Sequence, residues 1–298
     1  KRYKPRRLII FSRDEYKQFK MAQIFPHSKY ECMRYFIGDV RDKERLYRAL
    51  KGVDYVIHAA AMKHVPASEY NPFEAVKTNI LGAQNLINVA IDHKVKRVVA
   101  LSTDKAANPV NLYGATKLCS DKLFIAGNSY AQGDKTWFCV VRYGNVVGSR
   151  GSVIPFFIKK KTDGLLPITD PRMTRFWITL EQGVDFVLNC LETMVGGELF
   201  VPKIPSMKIT DLATAICPEC KTEIIGIRSG EKLHEVMISK DDARNTVEFD
   251  DYYVIKPSFR FFQRHFNEKG GKPVPGDFEY SSDTNPSWLS VEYLREII

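Results

Sequence analysis

Tyr113 and Lys117 stand four positions apart at the start of a segment with helical spacing, which puts a phenol and an ammonium one turn apart on one face. An ammonium near a phenol favours the phenolate and lowers a pKa that is ordinarily about 10, so the tyrosine can take a proton from a hydroxyl. Shortly before it, an apolar strand-like run ends in Ser102, Thr103, Asp104 and Lys105. Alone, Y-x-x-x-K also describes an exposed helix pair, and Asp104-Lys105 a loop ion pair. Just past the carboxyl end of a strand in an α/β sheet, however, these side chains lie where an active site belongs.

The elements that must position them are legible as a rhythm. Strand-like runs occupy residues 7–12, 34–38, 53–59, 97–102 and 138–143, and segments with helical apolar spacing occupy 14–24, 42–50, 73–92 and 113–130. This alternation predicts right-handed βαβ units and an α/β, Rossmann-like doubly wound parallel sheet covered on both faces. From about Gly148 the rhythm breaks into shorter elements at 153–161, 180–194, 198–201 and 209–216. Residues 1–147 are therefore read as a dinucleotide-binding domain. Residues 148–298 are read as mainly a smaller substrate lobe and a C-terminal tail, with segments able to return to the sheet. The last forty residues, rich in aromatic and polar types, read as a peripheral tail.

A dinucleotide-binding fold opens with a strand, a glycine-rich turn and a helix whose N-terminus holds the pyrophosphate. No G-x-G-x-x-G precedes the first strand here, and the basic stretch 1–7 reads like the end of a helix entering the second strand. The expectation is that about thirty residues, one strand plus one helix, come before Lys1.

Bulk properties narrow the function classes. The formal charge is +9, from 44 Lys+Arg against 35 Asp+Glu, but the basic residues are scattered and the densest run is Lys159-Lys160-Lys161. That is a poor footprint for nucleic acid and is consistent with ligands that carry phosphates. No apolar stretch approaches the roughly 18 residues of a membrane span, and no secretory signal opens the sequence, so a cytoplasmic protein is expected. Its six cysteines are then expected to be reduced. Cys217-Pro218-Glu219-Cys220 lacks the second pair of a zinc ribbon and reads as a surface loop with incidental cysteines. No cluster has metal-ligand spacing; His58 and His64 are read as local hydrogen-bonding residues.

Thr103, Tyr113 and Lys117 match the Ser/Thr-Tyr-Lys set of the extended short-chain dehydrogenase/reductases. The run TDKAANPVNLYGATK (103–117) resembles the inverting UDP-N-acetylglucosamine 4,6-dehydratases of pseudaminic acid biosynthesis. So do GDVRD (38–42), HAAAMKHVP (58–66), VRYGNVVGSRGSV (141–153), MTRFWIT (173–179), VPKIPSMK (201–208) and IGIRSGEKLHE (225–235). The resemblance covers nearly the whole chain. It implies oxidation at carbon 4 of a sugar, loss of water across carbons 5 and 6, and return of the hydride to carbon 6.

By that resemblance Tyr113, assisted by Lys117, deprotonates the carbon 4 hydroxyl; Lys105 handles the carbon 5 proton; Asp104 protonates the departing hydroxyl. A lysine base must be neutral, which burial or a cationic neighbour such as Lys63 favours. An acidic residue ending the second strand would bind the ribose of NAD. Ser12 and Arg13 stand there instead, which favours NADP over NAD, unless Arg13 is simply exposed. The resemblance adds Asp14, Lys17, Asp39, Val40, Ala59, Ala60, Lys63 and Val146 to the cofactor residues, beside Tyr113 and Lys117. It assigns Lys63, Lys105, Asn145, Arg175, Arg228 and Glu231 to the UDP-sugar, although Arg175 in its Phe-Trp context also suits a core role. It further implies a homo-oligomer. An epimerase or reductase of the same fold, or a non-catalytic dinucleotide-binding fragment, is the alternative; an epimerase needs no carbon 5 base.

Overall fold

The computed structural model describes residues 3–131, 136–149, 151–259, 268 and 270–298. Arg150 of the 141–153 motif, Lys1 and Arg2 of the basic opening and part of the C-terminal aromatic stretch lie outside the described residues.

All five expected strands form: β1 (Leu8–Ser12), β2 (Met33–Ile37), β3 (Tyr55–His58), β4 (Arg97–Thr103) and β5 (Trp137–Tyr143). Between them run α1 (Glu15–Ile24), α2 (Lys43–Ala49), α3 (Val65–Tyr70), α4 (Pro72–Val76), α5 (Gly82–Asp92) and α6 (Leu112–Tyr130). The start of α1 is set by Asp14, whose carboxylate accepts the Lys17 amide at 2.9 Å. That of α6 is set by Asn111, which accepts the Gly114 amide at 2.8 Å.

Later strands are β6 (Asn145–Val146), β7 (Leu165–Ile168), β8 (Thr174–Ile178), β9 (Leu199–Pro202), β10 (Ser206–Lys208) and β11 (Lys221–Ile224). They are followed by β12 (Val236–Ile238), β13 (Thr246–Glu248), β14 (Tyr252–Ile255), β15 (Lys272–Pro273) and β16 (Tyr280–Ser281). The remaining helices are α7 (Val153–Lys160), α8 (Leu180–Thr193), α9 (Ile209–Ile216), α10 (Lys240–Ala243) and α11 (Val291–Ile297).

The main sheet has the order β15-β13-β14-β9-β5-β4-β3. Its β3, β4, β5 and β9 run parallel and β14, β13 and β15 continue it antiparallel. Strands β9, β13, β14 and β15 thus return from the second half of the chain to the same sheet. Strands β1 and β2 form a separate parallel ribbon, not hydrogen-bonded to β3 among the described residues.

Central strand β4 explains the layering. Val98 and Ala100 join a core with Phe124 and Phe138, while Val99 joins Cys139, Val141, Val187 and Phe200 on the other face. A strand buried on both faces reads as a continuous apolar run, as 97–102 does. A further core gathers Phe157, Leu166, Trp177, Met207, Leu212 and Leu294 around α7, β8 and α9. Among the described residues no helix is long and apolar enough to cross a membrane.

Three expectations are corrected. The C-terminal residues are not peripheral: β16 pairs with β12, Leu294 of α11 is buried, and the Tyr280 hydroxyl donates to the Ile204 carbonyl at 2.9 Å. Tyr280, Ser282 and Asn285 spend their polar groups inside the protein. Residues 73–92 are not one α-helix, because a π-helical turn (Lys77–Leu81) separates α4 from α5. Cys217 and Cys220 form a disulfide, since the turn closing α9 brings their Cα atoms to 5.3 Å, within bridging range.

Candidate active site

The site is built where β4 ends. Thr103 pairs with Tyr143 at the last register position, and a 3₁₀ turn (Asp104–Ala106) follows at once. Helix α6 begins against that turn so closely that a Cβ on Gly114 would overlap the Lys105 carbonyl. Glycine at 114 is therefore what lets Tyr113 reach the side chains of the turn.

Within the turn, the Thr103 hydroxyl donates to Asp104 Oδ1 at 2.9 Å, and Lys105 Nζ donates to the same oxygen at 3.0 Å. Lys105 Nζ also lies 3.1 Å from Glu235 Oε1 and 3.4 Å from Asn145 Oδ1. Asp104 and Glu235 are buried, and Asp104 Oδ2 and Glu235 Oε2 have no hydrogen-bond partner among the described residues. Burial pushes the Lys105 ammonium down, but the two carboxylates more than reverse this and hold its pKa above the ordinary value. The neutral lysine expected from burial is thus not the resting state.

The tyrosine–lysine pair also differs from expectation. Lys117 Nζ donates to the Leu101 carbonyl at 2.8 Å, and burial lowers its pKa. Burial pushes the Tyr113 phenol up to about 12, against the opposing pull of the Lys105 ammonium and a Thr103 hydrogen bond. The cation that most favours the phenolate is Lys105, because desolvation, which spacing cannot reveal, decides the sign. Beneath the pair, Asp121 accepts Ser102 Oγ at 2.7 Å and lies 3.4 Å from the buried Arg142 guanidinium.

Towards β1 and β2 the rim is more open. Arg13 is exposed and 3.6 Å from Asp39, which Arg41 grips at 2.7 Å, holding that carboxyl below its usual range through this hydrogen bond. Ser12 Oγ accepts Gln18 Nε2 at 3.0 Å, while Asp14 caps α1 and pairs with Lys17 at 3.0 Å. Val40 is buried, and Asn85 donates to its carbonyl at 3.2 Å. Ala59, Ala60 and Lys63 are exposed just past β3, and Val146 is half-buried in β6. A cationic side chain at the end of β1, accessible backbone past β3 and the buried Tyr113–Lys117 pair fit an anionic dinucleotide.

The expected sugar-binding residues divide. Asn145 and Lys105 meet at the site. Arg175 lies beside them in the buried setting that its Phe-Trp context also suited: its guanidinium donates to the carbonyls of Thr174, Leu233 and Lys232, at 2.7, 3.0 and 2.9 Å, and so holds the segment leading to Glu235. Arg228 is exposed and Glu231 is half-buried, paired with each other at 3.0 Å in a loop anchored by Asn111 Nδ2 on the Gly230 carbonyl at 2.8 Å.

Two residues escaped sequence reasoning. Glu235 ended a quoted motif without being singled out. Asn79, in the π-helical turn, receives the Met62 amide at 2.8 Å, and its Nδ2 donates to the Met62 carbonyl at 3.0 Å and Thr116 Oγ1 at 2.9 Å. It ties the loop after β3 to α6. A π turn inside an α-helical pattern would have been its only signal.

A parallel sheet with Thr103, Tyr113 and Lys117 gathered at the end of its central strand defines an extended short-chain dehydrogenase/reductase. The family described as "Polysaccharide biosynthesis protein" matches residues 1–257, and the chain belongs to it. It is 62% identical to the UDP-N-acetylglucosamine 4,6-dehydratase (inverting) of Campylobacter jejuni subsp. jejuni serotype O:2 (strain ATCC 700819 / NCTC 11168), over 99% of this chain and 90% of that one. It is 43% identical to the UDP-glucose 4-epimerase of Rickettsia massiliae (strain Mtu5), over 97% and 85%. Among solved structures, that of Pen from Bacillus thuringiensis superposes with a TM-score of 0.89 at 38% identity, covering 99% of this chain and 90% of that one.

Proposed function

We propose that the protein is an NADP-dependent inverting dehydratase that converts UDP-N-acetylglucosamine to a UDP-4-keto-6-deoxy-L-hexosamine. The observation that carries this reading is the Asp104–Lys105 acid–base pair at 3.0 Å, beside Tyr113 but distinct from the Tyr113–Lys117 pair. Oxidation at carbon 4 alone requires one proton-handling group; elimination across carbons 5 and 6 requires two more. The name of the Campylobacter relative supports the same substrate.

A bound dinucleotide supplies the hydride acceptor for carbon 4 and the hydride returned to carbon 6. Tyr113, once its own phenolic proton has passed to solvent, takes the carbon 4 hydroxyl proton. Lys105 first passes a proton to Asp104, leaving a neutral amine and a neutral carboxylic acid. The amine then takes the carbon 5 proton while Asp104 protonates the carbon 6 hydroxyl, which leaves as water and restores the ammonium and carboxylate. A solvent-derived proton added to carbon 5 from the opposite face as the hydride returns to carbon 6 inverts that centre, and Tyr113 releases the carbon 4 hydroxyl proton to solvent. Tyr113 and Lys117 also hold the nicotinamide end; Ser12, Arg13, Asp14, Lys17, Asp39, Val40, Ala59, Ala60, Lys63 and Val146 line the cofactor path, with Arg13 on the extra phosphate of NADP. Asn145, Arg228 and Glu231 meet the UDP-sugar, beside Lys63 and Lys105.

Residues 1–147 serve the cofactor, and 148–298 mainly the sugar while also completing the sheet. The reading places the enzyme in the cytoplasm as a homo-oligomer acting on a small-molecule substrate, with no nucleic-acid or membrane partner, and its product in pseudaminic acid synthesis. A 4-epimerase is the second reading, favoured by the name of the Rickettsia relative.

The test uses the protein, UDP-N-acetylglucosamine and NADP in deuterated water, followed by NMR and mass spectrometry. Loss of one water, a 4-keto sugar and deuterium at an inverted carbon 5 are expected. Unchanged or carbon 4-epimerised sugar from protein that binds NADP would overturn the reading.

A further inference from the structure

Glu235 lies just before β12, far from Lys105 in sequence, and its side chain is buried. Its backbone is pinned by the C-terminal segment: its amide donates to Ser282 Oγ at 2.9 Å and its carbonyl accepts the Ser282 amide at 2.8 Å. Ser282 Oγ in turn meets Thr174 Oγ1 at 2.7 Å. The carboxylate is therefore delivered to the site from a fixed frame.

Three cations face it. Lys105 Nζ, from the turn after β4, is 3.1 Å from Oε1; Arg175 Nε, from β8, is 3.7 Å from Oε1; Lys232 Nζ is 3.9 Å from Oε2. The other two are already occupied, Arg175 by three carbonyls and Lys232 by the Ala107 carbonyl at 2.5 Å. Among the described residues Lys105 is the one cation within hydrogen-bond distance of the Glu235 carboxylate. Facing Lys105 itself are Asp104 from the 3₁₀ turn, Glu235, Arg175, the Asn145 amide and the Tyr113 phenol. A buried carboxylate is costly unless its charge has a use.

We propose that Glu235 is the positioning residue of Lys105, fixing Nζ for removal of the carbon 5 proton and sharing control of the ammonium with Asp104. This rests on the dehydratase reading. When Lys105 passes its proton to Asp104, Glu235 remains the anion beside the free amine. The C5–H bond then breaks, its proton goes to Nζ, and its electrons pass towards the carbon 4 carbonyl; Glu235 holds the ammonium that results. Its charge makes Lys105 a stronger base than Asp104 alone would.

The test compares Glu235→Gln, Glu235→Asp and Lys105→Ala by solvent exchange at carbon 5 against pH, with KM and a melting curve for each. Removing the charge in Glu235→Gln is expected to move the acid limb of exchange down by about one pH unit and to lower its plateau about ten-fold or more, with KM within about three-fold. Glu235→Asp keeps the charge with a shorter reach, so its limb stays within about half a pH unit of wild type while the plateau falls. An unmoved limb in Glu235→Gln overturns the inference, whether or not the rate falls, because a merely structural role leaves the limb in place. If Glu235→Gln does not fold, Glu235→Asp decides, and an undiminished plateau overturns the inference. Absence of exchange in the wild-type protein sinks the dehydratase reading itself; exchange that persists in Lys105→Ala, or that is lost there but unaltered by both Glu235 variants, sinks the Glu235 inference alone.

Discussion

Acidification from pH 7 to pH 5 is expected to weaken the fold through His58, the last residue of β3. The ring is 5% exposed and packs 5.5 Å from Phe124, and burial, aided by the Lys117 charge, pushes its pKa down to about 3. Between about 3 and its ordinary 6.5, the unfolded chain binds a proton at this residue and the folded protein does not. Stability therefore falls as pH falls, by about 1.4 kcal/mol per unit once well below 6.5. Integrated from pH 7 to pH 5, the loss from this side chain is about 2 kcal/mol. Other groups titrate over the same interval, so the measurement is a difference. Urea unfolding of wild type and of His58→Gln, which cannot charge, is compared at the two pH values. Wild type should lose about 2 kcal/mol more than the variant. NMR of the His58 ring should show no protonation down to pH 5. Equal losses, or a ring that titrates near 6.5, would refute the argument that burial outweighs hydration here.

Two further perturbations probe the surroundings. Arg142→Met strands the buried Asp121 carboxylate, a loss of about 3–5 kcal/mol. At about 2 cal/mol/K per residue, that lowers Tm by about 5–8 °C for a chain of 298 residues. A melting curve within about one degree of wild type would mean the charge is not desolvated. Arg13→Ser should weaken NADP relative to NAD by about ten- to a hundred-fold in calorimetric Kd, the scale of one charge-assisted contact; an unchanged ratio would remove Arg13 from the phosphate.

What could be read from sequence follows from where the physics is local. Strands β1 to β5 were legible because strands in a covered parallel sheet are short apolar runs, and Tyr113 and Lys117 because a helix turns every 3.6 residues. Asn79 was hidden because one extra residue in a π turn leaves the apolar rhythm of 73–92 almost intact. Tyr280 and Ser282 were read as a tail because aromatic and polar residues look like surface until their partners, Ile204 and Thr174, are seen. Arg175 kept two readings for a related reason: an arginine that binds backbone carbonyls has the same sequence appearance as one that binds phosphate.

The electrostatics of the site were the least legible part, and they separate its two lysines. Lys117 is buried with its ammonium on a neutral carbonyl, and its pKa falls; Lys105 meets two carboxylates, and its pKa rises. Identical side chains thus differ in proton affinity because two carboxylates outweigh desolvation at Lys105, while Asp121 alone does not at Lys117. Asp104 and Glu235 are buried facing Lys105, Arg175 and Lys232, so the two carboxylates are tolerated only while their cations are in place. A proton moved from Lys105 to Asp104 keeps the total charge of the cluster unchanged. Deleting Lys105 does not: it leaves two buried carboxylates facing each other across the place of the lost ammonium. Lys105→Ala therefore removes the shared counter-ion of two buried carboxylates as well as a base, and its melting temperature is expected to fall along with its rate of carbon 5 exchange.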